Sequence, residues 1–245
     1  MKKWIRKIGI LIFTIIFVCS AVLLLVMECS DGGNVGQYKQ DTEKESAPGE
    51  LAENPIDWDK LKDTDAYAWI DVPGTRIDYP VVSAPEEKEE DFYLHHSLKG
   101  RYDFAGTIYS RRANSRDFSD PVTVLYGHNM RNGSMFGTLK RFEEKEFFAG
   151  HEKIYIYMPG KIYTYQIVSA SRGDNRDLLG LYDYQNPDDR KVYIDKILMP
   201  DSGNVRSGIR IDISSRILVL STCATGGTKR RLVQAILQKT EETKK

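Results

Sequence analysis

The sequence predicts a mainly β domain with inserted helices, closed as a barrel and carried behind an amino-terminal transmembrane helix. Three observations predict it. Short runs rich in β-branched and aromatic residues, such as RIDYPVVS, PVTVLYG and RILVLST, recur between turn residues. Tyrosine is abundant, at 14, and much of it alternates, as in KIYIYMPGKIYTYQIV. One uncharged, mostly apolar run extends from Ile8 to Met27.

That run would span about 30 Å as a helix at ~1.5 Å per residue, the thickness of a bilayer's hydrocarbon core. It is longer than a typical signal-peptide core, and no small-x-small cleavage site follows it. LLVMEC also lacks the small residue expected before a lipidated cysteine. Residues 1–28 therefore read as an uncleaved signal anchor. Lys2, Lys3, Arg6 and Lys7 precede the span and keep the amino terminus cytoplasmic, which puts the rest of the chain outside the cell membrane. Residues 29–53 are polar, with Gly, Ser and Pro, and read as a flexible tether. As a random coil it would reach about 25–30 Å.

Residues 54–240 form the expected extracellular domain. NPIDWDKLKDTDAYAWI, with Ile56, Leu61 and Trp69 apolar, suggests one or two short helices before the first strand. DVPGT is a turn on Pro73 and Gly74, and RIDYPVVS a strand. EEKEEDFYLHHSL reads as a solvated, partly helical surface. FAGTIYS and PVTVLYG are short strands. GSMFGTLKRFEEKEFFAGH has helical spacing at Met135, Phe136, Leu139 and Phe142, with Gly150 as its stop. KIYIYMPGKIYTYQIVSAS is a hairpin turning at Pro159 and Gly160. NPDDRKVYIDKILMP is a helix with Pro187 in its first turn and Val192, Ile197 and Leu198 on its buried face. RILVLST and RLVQAIL are the last two strands.

Composition narrows the function. Lysine plus arginine and aspartate plus glutamate each number 35, so the basic footprint of a nucleic-acid binder is missing. The cysteines, Cys19, Cys29 and Cys223, are too widely spaced for a zinc site, and Cys19 falls within the apolar run. Cys223 ends the strand ILVLSTC. On the residues alone it is a buried small hydrophobe, a disulfide partner of Cys29, or a nucleophile. Lys229, Arg230 and Arg231 follow after the turn ATGG. Positive charge favours a thiolate, and an arginine on the returning strand would also donate to an oxyanion on an attacked carbonyl. Alternation along the strand sends Arg230 and Arg231 to opposite faces. A cysteine nucleophile needs an acid or base. Among His95, His96, His128 and His151, His128 stands out, because PVTVLYGHNM repeats the pattern of an apolar strand presenting a polar side chain at its end. His151 reads as a helix cap, and His95 and His96 as solvated.

LVLSTC followed by an arginine opening the last strand, together with LYGHNM upstream, resembles the catalytic motifs of sortases, membrane-anchored cysteine transpeptidases of Gram-positive bacteria. NPIDWDKLKDTDAYAWIDVPGTRIDYPVV, FAGTIYS and YGHNMRNGSMFGTLKRF resemble class B, over roughly residues 54 to 237. The resemblance implies a sortase β-barrel. It makes Cys223 the nucleophile, His128 the acid and base, and Arg230, whose register fits better than that of Arg231, the oxyanion donor. Ser221, Thr222, Leu125 and Tyr126 would line the substrate groove. It implies no metal and no organic cofactor. The implied partners are secreted proteins with a C-terminal sorting signal, of Asn-Pro-x-Thr type in class B, and peptidoglycan or its lipid-linked precursor as amine acceptor. Two other readings stay open: a thiol hydrolase using the same three residues, and a non-enzymatic surface module.

Overall fold

The computed structural model describes residues 35–40, 51–174, 176–223 and 229–244. The expected transmembrane helix falls outside the described residues, and among those described no helix is long and apolar enough to cross a membrane. In chain order the strands are β1 (Ala66–Asp71), β2 (Asp78–Ser83), β3 (Ile108–Ser110), β4 (Val122–Tyr126), β5 (Lys153–Met158), β6 (Lys161–Asp174), β7 (Gly203–Val205), β8 (Ile217–Cys223) and β9 (Lys229–Glu242). The helices are α1 (Lys145–Gly150), α2 (Leu178–Leu181) and α3 (Pro187–Leu198). Single 3-10 segments occupy Val35–Tyr38, Trp58–Lys60, Phe92–Leu94 and Gly137–Glu143.

The strands pair in the order β5-β1-β2-β3-β4-β8-β9-β6, and β6 pairs back onto β5, closing a barrel of eight strands. Only β2–β3 and β4–β8 are parallel within this ring. The expected hairpin turns at Pro159 and Gly160, with Met158 opposite Lys161. Its second strand is far longer than its first. Beyond Gln166, which stands opposite the first residue of β5, β6 picks up β7 at Ser169–Ser171. Two register shifts bend the long β6–β9 pair and help it wrap the barrel.

Period-two alternation sorts the side chains into two cores. Every strand of the ring contributes to the inner one, including Ile70, Val81, Ile108, Leu125, Leu220 and Val233, and Phe136, Leu139, Phe142, Phe147 and Phe148 close over it. The outer core covers β4, β8 and β9: Val122, Val124, Tyr126, Ile217, Val219 and Leu232 pack beneath Tyr193, Ile194 and Ile197 of α3. All five residues of β4 are buried, as expected for a strand covered on both faces.

Three sequence expectations change. The helix expected after Gly133 is a 3-10 segment and a separate short α1, divided at Glu144, whose extended backbone starts α1. Helix α3 begins as expected, with the Asn186 side chain accepting from the Asp188 N–H and Pro187 in the first turn. Its buried stripe, however, is Tyr193, Ile194 and Ile197. Val192 is 49% exposed because a stripe on positions 193, 194 and 197 turns position 192 outward. Finally, part of the expected tether is docked. Tyr38 is buried beside Trp69, ring centroids 6.2 Å apart, together with Ile56 and Leu61. Lys39 pairs with Asp78 at 2.6 Å, and Ala52 bridges Thr243. Trp69 points away from the inner core, and this segment supplies its cover.

One charged group crosses into the inner side. Arg231, 4% exposed, donates to Glu143 at 2.7 Å, and exposed Arg172 donates to the other Glu143 oxygen at 2.6 Å. Arg172 and then Arg231 hold the Glu143 carboxyl below the usual carboxylate range. Its contribution to stability is therefore present above the unfolded value of about 4.3 and lost as pH falls through the folded value. Glu143→Ala leaves Arg231 buried without a counter-charge. The expected loss is about 3–5 kcal/mol in urea unfolding at neutral pH. Arg172→Ala removes only the exposed partner and is expected to cost under about 1 kcal/mol.

Candidate active site

The parallel pairing of β4 with β8 sets the geometry. Tyr126 stands opposite Ser221, and the next amide, Gly127 N–H, donates to the Ser221 carbonyl at 3.3 Å. His128 is two residues beyond Tyr126, and Cys223 two residues beyond Ser221. Because the strands run the same way, both residues reach the same rim. Strand β9 returns from that rim, and its ladder with β8 sets Arg230 opposite Cys223 and Arg231 opposite Thr222. His128 thus meets the Cys223–Arg230 pair, distant from it in sequence, by backbone register.

Alternation separates the two arginines. Leu232 and Ile236, which share parity with Arg230, lie in the outer core, whereas Val233 and Ala235, sharing parity with Arg231, lie in the inner core. Arg231 is spent on Glu143. Arg230 is half-buried on the outer side, where its charge is felt by Tyr109. Burial pushes the Tyr109 hydroxyl up to about 12, with Arg111 and Arg230 pulling the other way.

His128 is half-buried, and its Nε2 is buried without a hydrogen-bond partner. Burial pushes its pKa below the ordinary histidine value, and the neighbouring His95 adds to that. A hydrogen bond to the Leu94 backbone opposes both. The ring is flanked by His95, centroids 5.1 Å apart, and by Phe104, nearly parallel at 5.8 Å and 8°. Burial and His95 both favour the neutral ring, the form that can take a proton.

The four residues expected to line a groove divide by face. Tyr126 is on the outer side. Its hydroxyl donates to Asp177 at 3.2 Å, and Arg111 lies over its ring at 5.2 Å while pairing with Asp177 at 2.5 Å. Ser221 is on the same side, its hydroxyl buried without a partner. Leu125 and Thr222 are fully buried on the inner side. Alternation turns both to the opposite side of the sheet from Tyr126 and Ser221, which are themselves buried.

Asp177 was not visible as a site residue from the sequence. It caps α2 by accepting from the Leu179 N–H, and with Arg111 and Tyr126 it ties the segment after β6 to β3 and β4. An Asp immediately before Leu-Leu-Gly is a cap signature, and that signal was available. His95 was expected to be solvated. It is exposed, yet it lies against His128, a contact no local pattern announces. His151 behaves as expected, capping α1 with its ring stacked on Phe147 at 3.8 Å. Among the described residues, no cluster of His, Cys, Asp or Glu is arranged to hold a metal ion.

Residues 70–238 match the Sortase domain family. The chain is 30% identical over 190 residues to Sortase B of Listeria monocytogenes, an alignment covering 77% of this chain and 74% of the relative. The solved structure of Clostridium perfringens sortase B superposes with a TM-score of 0.67 at 34% identity, covering 74% of this chain and all of that one. A Staphylococcus aureus sortase B–substrate complex superposes with a TM-score of 0.66 at 25% identity, covering 76% and 87%.

The environment of His128 predicts its titration. In an NMR pH titration its midpoint is expected below the ordinary ~6.5. His95→Gln is expected to raise that midpoint without restoring the ordinary value, because burial, the larger cause, remains.

Proposed function

The chain belongs to the sortase family, class B, and on that premise we propose that Cys223, His128 and Arg230 carry out transpeptidation on secreted proteins bearing an Asn-Pro-x-Thr type sorting signal. The observation that carries this reading is the β4–β8–β9 register, which aligns the three positions at one rim. The Cys223 thiolate attacks the carbonyl after the threonine. Arg230 donates to the oxyanion, where a charged donor in a partly buried site gives strong stabilisation. The lowered proton affinity of His128, which favours its neutral form, supports its role as the base that takes the thiol proton. The resulting imidazolium then protonates the departing amine, the C–N bond breaks, and a thioacyl enzyme remains. An incoming amine attacks the thioester, gives its proton to His128, and releases Cys223 as the new amide forms.

The acceptor in this proposal is an amino group of the cell wall or its lipid-linked precursor. The apolar run at the amino terminus supports a single-pass anchor in the cell membrane with the domain outside, where secreted chains emerge. The outer side of the rim, just past the buried Tyr126 and Ser221, is the proposed position of the groove, and the Asp177 clamp holds one wall in position.

Intact-protein mass spectrometry tests the reading. Incubating the full chain with a panel of Asn-Pro-x-Thr peptides is expected to add the mass of the peptide's N-terminal part, and Cys223→Ala is expected to abolish the adduct. An accessible Cys223 with no adduct or cleavage across the panel would overturn the substrate assignment. Added amine then separates transfer from hydrolysis.

The two arginines provide a second check. Arg230→Ala is expected to lower kcat/KM by about 10²–10³, the usual loss for an oxyanion donor, with little change in stability. Arg231→Ala is expected to show its effect in unfolding, through the lost Glu143 pair. The reverse pattern would exchange their roles.

A further inference from the structure

We propose that Phe104, Tyr102 and His95 form the binding ledge for the amine-bearing peptide that resolves the thioacyl enzyme. The inference rests on the transpeptidase reading and adds a location and a chemistry for its second substrate. Tyr102 and Phe104 are 75% and 62% exposed, although a large apolar ring gains by burial. They are not loosely held. Their segment closes on itself through Asp103 N–H to the His95 carbonyl at 2.9 Å, Thr107 N–H to the Tyr93 carbonyl at 2.9 Å and the Thr107 hydroxyl to the His96 carbonyl at 2.9 Å. Gly106, at φ +63°, lets the chain press against the Leu94 carbonyl, which a Cβ would strike. A fixed loop therefore holds two aromatic faces toward solvent.

Those faces adjoin the catalytic histidine. Phe104 lies parallel to the His128 ring, and Tyr102 stacks on His95 at 6.5 Å, which itself lies 5.1 Å from His128. One group, His128, protonates the leaving amine and deprotonates the entering one, so both amines pass through the same place. The acyl portion lies toward Arg230 and the outer face of β4 and β8. What lies on the other side of His128 meets the amine's own chain. An amine arrives mostly as an ammonium ion, and aromatic faces attract cations without binding their protons. Phe104 and Tyr102 thus hold the acceptor beside a base that can take its proton. In the resolving step the amine nitrogen bonds to the thioester carbon, the C–S bond breaks, and the amine proton leaves through His128 to the sulfur.

The test is the partition of one thioacyl enzyme between transfer and hydrolysis, which does not depend on how fast that enzyme forms. The full chain is acylated with whichever panel peptide forms the adduct and offered triglycine or hydroxylamine. Triglycine extends past His128, and hydroxylamine is too small to do so. Phe104→Ser and Tyr102→Ser are expected to lower the triglycine transfer-to-hydrolysis ratio by about 3- to 30-fold. The hydroxylamine ratio should hold, and Phe104→Tyr should retain the wild-type triglycine ratio. Equal losses with both amines would mean that the rings only orient His128, which overturns the ledge. An unchanged triglycine ratio in both serine variants also overturns it. If the wild-type chain forms no thioacyl enzyme, the transpeptidase reading fails first and takes the ledge with it.

Discussion

Parallel pairing of β4 with β8 is the constraint on which the rest depends. Had these neighbours run antiparallel, their carboxyl ends would lie at opposite rims, separated by the length of β4, about 16 Å for five residues. Parallel pairing brings the residues after Tyr126 and Ser221 to one edge. Such a pair lies at the centre of the sheet and must be covered on both faces. The barrel interior covers one and α3 the other. Both cores are thus consequences of one strand pairing, and the candidate site is the place where that pairing runs out.

Strand alternation then assigns tasks to neighbours in sequence. Arg230 and Arg231 differ in position by one residue and in environment completely. One faces the outer side near Tyr109, and the other is enclosed with Glu143. Leu125 and Tyr126 divide in the same way, as do Thr222 and Ser221. Burial acts with comparable economy on His128. Partial removal from water lowers its affinity for a proton, and the exposed imidazole beside it acts in the same direction. Asp177 fixes the segment after β6 through a carboxylate shared among Arg111, Tyr126 and the first turn of α2.

Much of this was legible in the sequence, and what was legible was local. The hairpin at Pro159 and Gly160, the start of α3 at Asn186 and Pro187, and the cap at His151 each follow from neighbouring residues. Cys223 and His128 stood out because strand ends and glycine turns are written in short motifs, whereas the choice of Arg230 over Arg231 came from the family resemblance. Side-chain direction was harder. Val192 was assigned to a buried face because it is apolar, yet the rings of Tyr182, Tyr184 and Tyr193 decide where α3 sits. Leu125 seemed a groove residue through its proximity to His128, but only the barrel's inside and outside assign it. Tyr38 and His95 depend on contacts with Trp69 and His128, distant positions that no periodicity predicts.

The closed strand order also bears on how the chain is made. Strand β4 ends at Tyr126, and its partner β8 starts at Ile217. Between them the ribosome must deliver all of β5, β6 and β7 together with α1, α2 and α3. Through most of that interval an apolar strand lacks both its neighbour and the helix that shields it, and its edge stays open until β8 follows, the condition in which chains join one another. When β8 and β9 arrive they cover the hazard and complete the site in the same event. A nascent chain is accordingly most prone to aggregate while it cannot yet react, and the reactive rim exists only after the sticky edge has gone.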